Sequence, residues 1–330
     1  MHAMDRRSFI AGLALGLAAS PSFGAAQARS RVWRVGFLSG GARPADGLPP
    51  LPLRQALTQL GYVESRNVVY LARWAEAKQD RLPALAAELV GLRADAIVTV
   101  GGPATGAAKR ATSAIPNVLA QVGDADGIGL IDSLARPGGN VTGVTDQSAE
   151  LSAKRLEYLK EAVPKASRIA VLWNEDDRGM TLRFREVEKA AQALRVTVQP
   201  LGVRAPDDFD SAFSTMAVHP PDALFLVTDA LTLLNRQRVI DFSLSHRIPA
   251  MYEFNTLVRD GGLMSYGANQ DDNFRLAAAY VDRIFKGAAP ASLPVERPDR
   301  YYLTINLRTA RALGLAIPQS MLLRADEVIE

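Results

Sequence analysis

From residue 34 onward, short apolar runs alternate with longer segments whose apolar positions recur at helical spacing. The run 34–40, for example, is followed by a helical segment and then by the β-rich run 67–75. Another helical segment leads on to the apolar run 94–102. Strands that alternate with helices favour a parallel sheet covered by helices on both faces, so the pattern predicts an α/β protein.

The same order of elements occurs twice along the chain. The corresponding stretches are 34–40 with 168–174, 67–75 with 195–203, 94–102 with 221–229, and 114–124 with 247–255. A pair of glycines precedes the last strand of each copy, Gly138-Gly139 in the first and Gly261-Gly262 in the second. The repeat predicts two similar, doubly wound lobes, each with a parallel sheet.

A helical segment follows each copy, at 150–163 and at 272–287, and we predict that both segments cross between the lobes. The predicted limits are 29–148 with about 256–296 for the first lobe, and 149–255 with about 297–330 for the second lobe. The limits after residue 255 stay open because the stretch 297–307 fits either sheet.

The first 28 residues are predicted to be an export signal of the twin-arginine type. Arg6 and Arg7 precede a mildly apolar run, Phe9 to Ala19, which is shorter than the ~20 residues of a membrane-spanning helix. The small residues Ala26 and Ala28 suit a cleavage site, so we expect the mature chain to start at residue 29. A general secretory signal is the alternative, and either route predicts a soluble periplasmic protein.

Composition narrows the class of protein. The chain has no cysteine, which excludes disulfides, thiolate catalysis and a lipid-modified N-terminal cysteine. The net charge of +3 does not indicate a nucleic-acid-binding surface. The three histidines lie in the leader, in a loop and after a helix, and no catalytic or metal-binding motif accompanies them. We therefore expect no enzyme, no cofactor and no metal, although acid- or serine-based catalysis stays open as a minor alternative.

Candidate binding residues lie where the predicted strands end, because open parallel sheets bind ligands outside the carboxyl ends of their strands. With two lobes, those ends can face each other across a cleft. The candidates are Ser39, Gly40, Gly102, Thr105, Asp124, Asn174, Asp229, Tyr252, Glu253 and Tyr266.

The stretch 98–112 gives the strongest local signal, since it runs from strand to glycines to helix. Free N–H groups and the helix dipole at such a helix start favour an anion such as a carboxylate. It is no nucleotide motif, because Ala107 and Ala108 stand where a phosphate loop needs Lys and Ser or Thr. An unliganded helix start is the alternative interpretation.

The acidic candidates Asp124, Asp229 and Glu253 could hold a ligand ammonium group, and the tyrosines Tyr252 and Tyr266 could form an aromatic slot. Each has an ordinary structural alternative. The acids are also suited to capping helices, and strand tyrosines are common in the core.

Several stretches are distinctive: "LTQLGYVESRNVV" (57–69), "RWAEAKQDRLPALAAELV" (73–90), "IDSLARPGGNVTGV" (131–144) and "GGLMSYG" (261–267). They closely resemble one family, the substrate-binding proteins of ABC transporters of the tryptophan/tyrosine-binding type. The resemblance runs from about Arg34 to Glu330. It implies a type I periplasmic binding-protein fold, with two α/β lobes joined by three crossings.

The same resemblance implies capture of a small ligand, in some relatives an aromatic amino acid, and delivery to an ABC permease in the inner membrane. We expect a monomer with no nucleic-acid partner. A sensor that presents its ligand to a membrane receptor is the alternative function. Transcription regulators with the same two lobes carry a DNA-binding module ahead of the first lobe. This chain has a predicted export signal at that place, so we do not expect a regulator.

Overall fold

The first five strands form a parallel sheet with the order β2-β1-β3-β4-β5. The computed structural model describes residues 31–146 and 148–330. The strands are β1 (Trp33–Ser39), β2 (Val68–Trp74), β3 (Ala96–Val100), β4 (Asn117–Val122) and β5 (Val141–Thr145). The intervening helices are α1 (Leu51–Gln59), α2 (Leu82–Gly91) and α3 (Gly102–Ala111). The predicted export signal, 1–28, lies outside the described residues.

The remaining strands form a second sheet, whose first part repeats the pattern of the first. Its elements are α4 (Ser148–Ala162), β6 (Arg168–Asn174), α5 (Arg178–Leu194), β7 (Thr197–Val203), α6 (Asp208–Val218), β8 (Ala223–Leu226), α7 (Ala230–Leu234), α8 (Arg236–Ser245), β9 (Ala250–Tyr252), α9 (Asn255–Arg259) and β10 (Met264–Gly267). The chain then continues through α10 (Gln270–Phe285), β11 (Tyr302–Asn306), α11 (Leu307–Ala312), α12 (Gln319–Leu322) and β12 (Glu327–Ile329).

The second sheet has the order β12-β11-β10-β9-β8-β6-β7 and is parallel except where β11 meets β10. The antiparallel pair has a simple cause. The chain leaves the second lobe at the end of β10 and re-enters it at the start of β11, so β11 has to run back along β10. The two predicted lobes with mainly parallel sheets are confirmed.

In the described residues the chain passes between the lobes three times: from β5 to α4, from β10 to α10, and from α10 to β11. Helix α10 packs on α1, β4 and β5, and therefore belongs to the first lobe. The predicted first-lobe range of about 256–296 begins too early, however, because β10 pairs with β9 in the second sheet. In both copies the Gly-Gly turn leads into the last strand of the lobe, β5 or β10. The chain therefore crosses to the first lobe only after β10.

Each lobe has its own apolar core on the faces of its sheet. In the first lobe, Phe37 and Val98 of the sheet pack with Phe274 and Tyr280 of α10. In the second lobe, Trp173 stacks on Phe184 of α5 at 3.8 Å between ring centroids. None of the helices in the described part of the chain has the length and apolar content needed to cross a bilayer.

Candidate functional site

A cavity of about 140 Å³ lies between the lobes, at the carboxyl ends of both sheets. Residues 32–330 form one compact unit, so both walls of the cavity belong to a single body. The first lobe contributes the ends of β1, β3 and β4, and the second lobe contributes the end of β8 and the starts of α5 and α7. This is where open parallel sheets place their ligands.

The two lobes approach each other closely at both sides of this cavity. A Cβ added to Gly40 of the first lobe would lie 3.1 Å from Cβ of Ala230 in the second lobe. On the other side, a Cβ added to Gly179 of the second lobe would lie 3.9 Å from Ile128 of the first lobe. The lobes are therefore in a closed arrangement around the cavity.

The first-lobe wall is built on the start of α3. Gly101 has φ +87°, a left-handed backbone that favours glycine, and it turns the chain from β3 directly into the helix. The N–H groups of Gly102 and Ala104 lie in the first turn of α3, where backbone donors have no partner within the helix. Pro103 fits this turn because it needs no donor. This wall presents free N–H groups and the positive end of the helix dipole.

The second-lobe wall carries two carboxylates. Asp229 caps α7 by accepting the N–H of Thr232 at 2.9 Å, and its other oxygen accepts Nδ2 of Asn174 at 2.6 Å. Asp177 caps α5 by accepting the N–H of Gly179 at 2.8 Å. Burial, together with the nearby charge of Asp229, raises the pKa of Asp177 to about 6. This wall therefore presents two carboxylates, together with the guanidinium of Arg183, which also lines the cavity.

Thr228 lies beside these carboxylates and lines the cavity. It is only 4% exposed, and its hydroxyl has no hydrogen-bond partner among the described residues. A buried hydroxyl without a partner is unfavourable, so this oxygen favours a polar group in the cavity. Apolar side chains complete the lining, including Leu82, Met180 and Phe254.

A buried ion-pair network reaches the cavity, because Arg183 and Asp146 are among its lining residues. Glu253 is fully buried and accepts Nη1 of Arg183 at 2.6 Å through Oε2 and Nη1 of Arg155 at 3.2 Å through Oε1. Arg155 also donates from Nε to the carbonyl of Tyr266 at 2.6 Å. Burial raises the pKa of Glu253, against the opposing effect of the two arginines. Because both of its oxygens are engaged, Glu253 organises the second lobe.

Arg183 extends this network to the first lobe. Its Nη2 lies 3.5 Å from Oδ1 of Asp146, which follows β5, and its Nε lies 3.9 Å from Oδ2 of Asp124, which follows β4. Burial alone would lower the pKa of Arg183, but Glu253 and the neighbouring aspartates together raise it above its usual value. The guanidinium is therefore held in its charged form.

The family model described as "ABC transporter substrate binding protein" matches residues 52–329. The chain belongs to this family. Its members bind solutes and are not enzymes. The two-lobed architecture of this substrate-binding protein is that of type I periplasmic binding proteins.

Among curated proteins, the chain is similar to a tyrosine-binding protein from Clostridioides difficile (strain R20291). The two are 26% identical over 261 residues, which cover 79% of this chain and 75% of the relative. Among solved structures, it is similar to an ABC domain from Streptococcus pneumoniae in complex with L-Trp, with a TM-score of 0.83 and 26% identity over 90% of this chain and 100% of that chain. A conserved domain protein from Vibrio cholerae gives a TM-score of 0.85 and 25% identity over the same shares.

In this substrate-binding protein, four of the predicted site residues line the cavity: Ser39, Gly40, Gly102 and Asp229. Asn174 and Glu253 support lining residues from behind, through Asp229 and Arg183 respectively. Thr105 also lies behind the wall, where its hydroxyl meets that of Thr99 at 2.8 Å.

The other three predicted residues lie away from the cavity lining. Asp124 accepts the N–H of Ala149 at 3.1 Å and faces Arg183, so it joins the two lobes. Tyr252 is buried in the core of the second lobe. Tyr266 packs edge-on against Tyr158 at 5.1 Å between ring centroids. Neither tyrosine forms the expected aromatic slot, because both side chains point into packed regions of the second lobe.

Arg155 and Arg183 are not among the residues predicted from the sequence, although a signal for both is present. Arg183 lies in the apolar stripe of α5, three residues after Met180 and four before Val187. Arg155 lies beside Leu156, which is fully buried in α4. An arginine within an apolar stripe indicates a buried ion pair, since arginine is almost never fully buried unpaired.

Proposed function

We propose that this chain is the extracytoplasmic binding component of an ABC importer and that it captures an amino acid with an aromatic side chain between its lobes. One observation carries the proposal. A single cavity joins the free helix start of α3 in one lobe to the carboxylates of Asp177 and Asp229 in the other. These two walls match the two charged groups of an amino acid.

The ligand carboxylate belongs at the first-lobe wall. The N–H groups of Gly102 and Ala104 and the dipole of α3 favour negative charge there. The side chain of Ser39 also lines this wall. Its hydroxyl accepts the N–H of Gly41 at 3.0 Å and keeps its own proton for donation to a ligand oxygen.

The ligand ammonium group belongs at the second-lobe wall. Asp177 and Asp229 accept hydrogen bonds from backbone or amide donors, and each carboxylate has further acceptor capacity. A charge-assisted hydrogen bond from an ammonium group would offset part of the repulsion between the two acids. The partnerless hydroxyl of Thr228 is a third acceptor in the same wall.

The apolar lining supports an aromatic side chain on the ligand. Leu82, Met180 and Phe254 come from both lobes and surround the polar groups. The tyrosine-binding relative and the solved L-Trp complex support the same class of ligand. Export through the signal at 1–28 and delivery to an inner-membrane permease complete the proposed role.

The proposal is tested by thermal unfolding and calorimetric titration of residues 29–330 against tryptophan, tyrosine, phenylalanine, leucine, sugars and two truncated analogues. The analogues are tyramine, which lacks the carboxylate, and 3-(4-hydroxyphenyl)propionate, which lacks the ammonium group. A ligand at 100 times its Kd adds about 2.7 kcal/mol of stability, so the midpoint should rise by several degrees.

We expect binding of at least one aromatic amino acid, and binding weaker by about tenfold or more for both analogues, because each leaves one wall without its partner. Tight binding of a sugar with no response to amino acids would overturn the proposed ligand class. Equal binding of tyrosine and tyramine would remove the role of the α3 start.

A further inference from the structure

Arg183 is a second-lobe side chain that is buried against the first lobe. Its helix, α5, packs on the second sheet, whereas Gly123 and Asp124 follow β4 of the first sheet. The side chain of Arg183 is only 4% exposed, and the contacts that bury its Nη2 and Nε lie across the lobe boundary. Opening the lobes would therefore expose the guanidinium.

The second lobe holds the guanidinium ready for this contact. Glu253 accepts Nη1 of Arg183 at 2.6 Å, and Arg155 holds Glu253 from the opposite side at 3.2 Å. All three groups belong to the second lobe and move with it. Because Glu253 engages only Nη1, the rest of the guanidinium remains available to the first lobe.

The first lobe provides a notch that fits this group. A Cβ added to Gly123 would overlap Nη2 of Arg183 and would lie 3.0 Å from its Cζ and 2.8 Å from Oδ1 of Asp146. The backbone of Gly123 lies outside the left-handed region, so glycine is not required by its backbone angle. What requires glycine at this position is the close approach of the guanidinium.

We propose that Arg183 is a closure latch. Its guanidinium, held by Glu253, docks on Gly123 and between Asp124 and Asp146 when the lobes close, and it thereby sets the population of the closed form that retains ligand. Arg183 is a positioning residue in this scheme, since its charge is already matched by Glu253 and Asp146 and is not left over for a ligand carboxylate. The inference rests on the proposed function in one respect, namely that closure retains the ligand.

The test measures the distance between the lobes directly. The natural chain has no cysteine, so Lys78→Cys in the first lobe and Gln237→Cys in the second lobe allow specific spin labelling. Distance distributions are recorded with and without the ligand panel for the labelled parent, for Gly123→Ala and for Gly127→Ala. Gly127 is the matched control, because a Cβ there would meet its nearest neighbour at an ordinary 3.5 Å.

We expect Gly123→Ala to lower the closed fraction and to weaken binding of every ligand that the parent binds by a similar factor of about tenfold, with unchanged order of preference. Gly127→Ala should match the parent. Adding Arg183→Lys to Gly123→Ala should restore closure in part, because the lysine ammonium has no second terminal nitrogen to meet the new methyl group. A rescue of this kind separates latching from simple damage to the fold.

Two outcomes would overturn the latch: a closed fraction in Gly123→Ala equal to that of Gly127→Ala, or a change in ligand preference without a change in distance. Failure of the proposed function is distinguishable. In that case the distance in the labelled parent would not respond to any amino acid, while the ligand-free closed fractions of the two glycine variants would still decide for or against the latch.

Discussion

Nη2 of Arg183 lies directly over the α-carbon of Gly123, in a space that any other side chain at position 123 would occupy. The two residues belong to different lobes, so this contact exists only while the lobes are together. The guanidinium of Arg183 pairs with the buried Glu253 of the second lobe and with Asp146, which follows β5 of the first lobe. The positive charge of Arg183, which neutralises these acids, therefore also joins the two lobes.

Replacing Asp229 with Asn should weaken binding of an amino acid by more than about 1.4 kcal/mol, or about tenfold, because the ammonium group loses a charged acceptor. Titration calorimetry measures this loss. The control is Asp210→Asn, since the side chain of Asp210 is 76% exposed on α6 and lies outside the cavity lining. Unchanged affinity in the Asp229 variant would assign the residue to capping α7 alone.

Replacing Glu253 with Gln should destabilise the protein by about 3–5 kcal/mol, because it leaves two buried guanidinium groups without their shared counter-charge. Urea unfolding of the ligand-free protein measures the effect. The matched control is Glu327→Gln, which breaks an exposed pair with Arg259 and should change stability by about 0–1 kcal/mol. Similar losses in the two variants would contradict the structural role of Glu253.

The stability of the protein should depend on pH through Asp124. Burial, with smaller contributions from the charges of Asp146 and Glu253, raises the pKa of this carboxyl to about 6, despite the opposing effects of Arg183 and of the N–H of Ala149. The folded protein therefore binds a proton more tightly than the unfolded chain does. The resulting stability is fully present below the unfolded pKa of about 4 and is lost as the pH rises through about 6.

This linkage amounts to about 2–3 kcal/mol for a shift of about two pKa units. Asp124→Asn removes the titrating group, so its stability relative to the parent should increase between pH 4 and pH 7. Unfolding curves at half-unit intervals measure the difference. Asp177→Asn tests the second carboxyl whose pKa is raised to about 6. Parallel pH profiles for parent and Asp124→Asn would show that the carboxyl titrates normally.

Gly40→Val should hinder closure on the side of the cavity opposite the latch, because a side chain there meets Ala230 of the other lobe. We expect affinity to fall by about tenfold while the ligand-free melting temperature stays close to that of the parent. Gly91→Ala is the control, since a Cβ at Gly91 would have no neighbour within 4 Å. A large drop in the ligand-free melting temperature would indicate damage within the first lobe instead.

The sequence by itself determined the alternation of strands and helices, the duplication of that pattern and the strand ends that line the cavity between the lobes. These features depend on local signals, namely apolar periodicity, glycine turns and helix starts. They were sufficient to place Ser39, Gly102 and Asp229 at the cavity, because each lies at a strand or helix end and the rule for parallel sheets applies to it directly.

Only the tertiary structure decided the burial of Arg155, Arg183 and Glu253. Arg155 and Arg183 belong to different helices and Glu253 follows β9, and the ion pairs join residues 70 and 98 positions apart. The tertiary structure also places Tyr252 in the core of the second lobe and not in the cavity. The face of a strand on which a side chain packs depends on which helix covers that face. Contacts across the lobe boundary, such as Arg183 with Gly123, arise from how two independently folded sheets close on each other, and no local pattern carries that information.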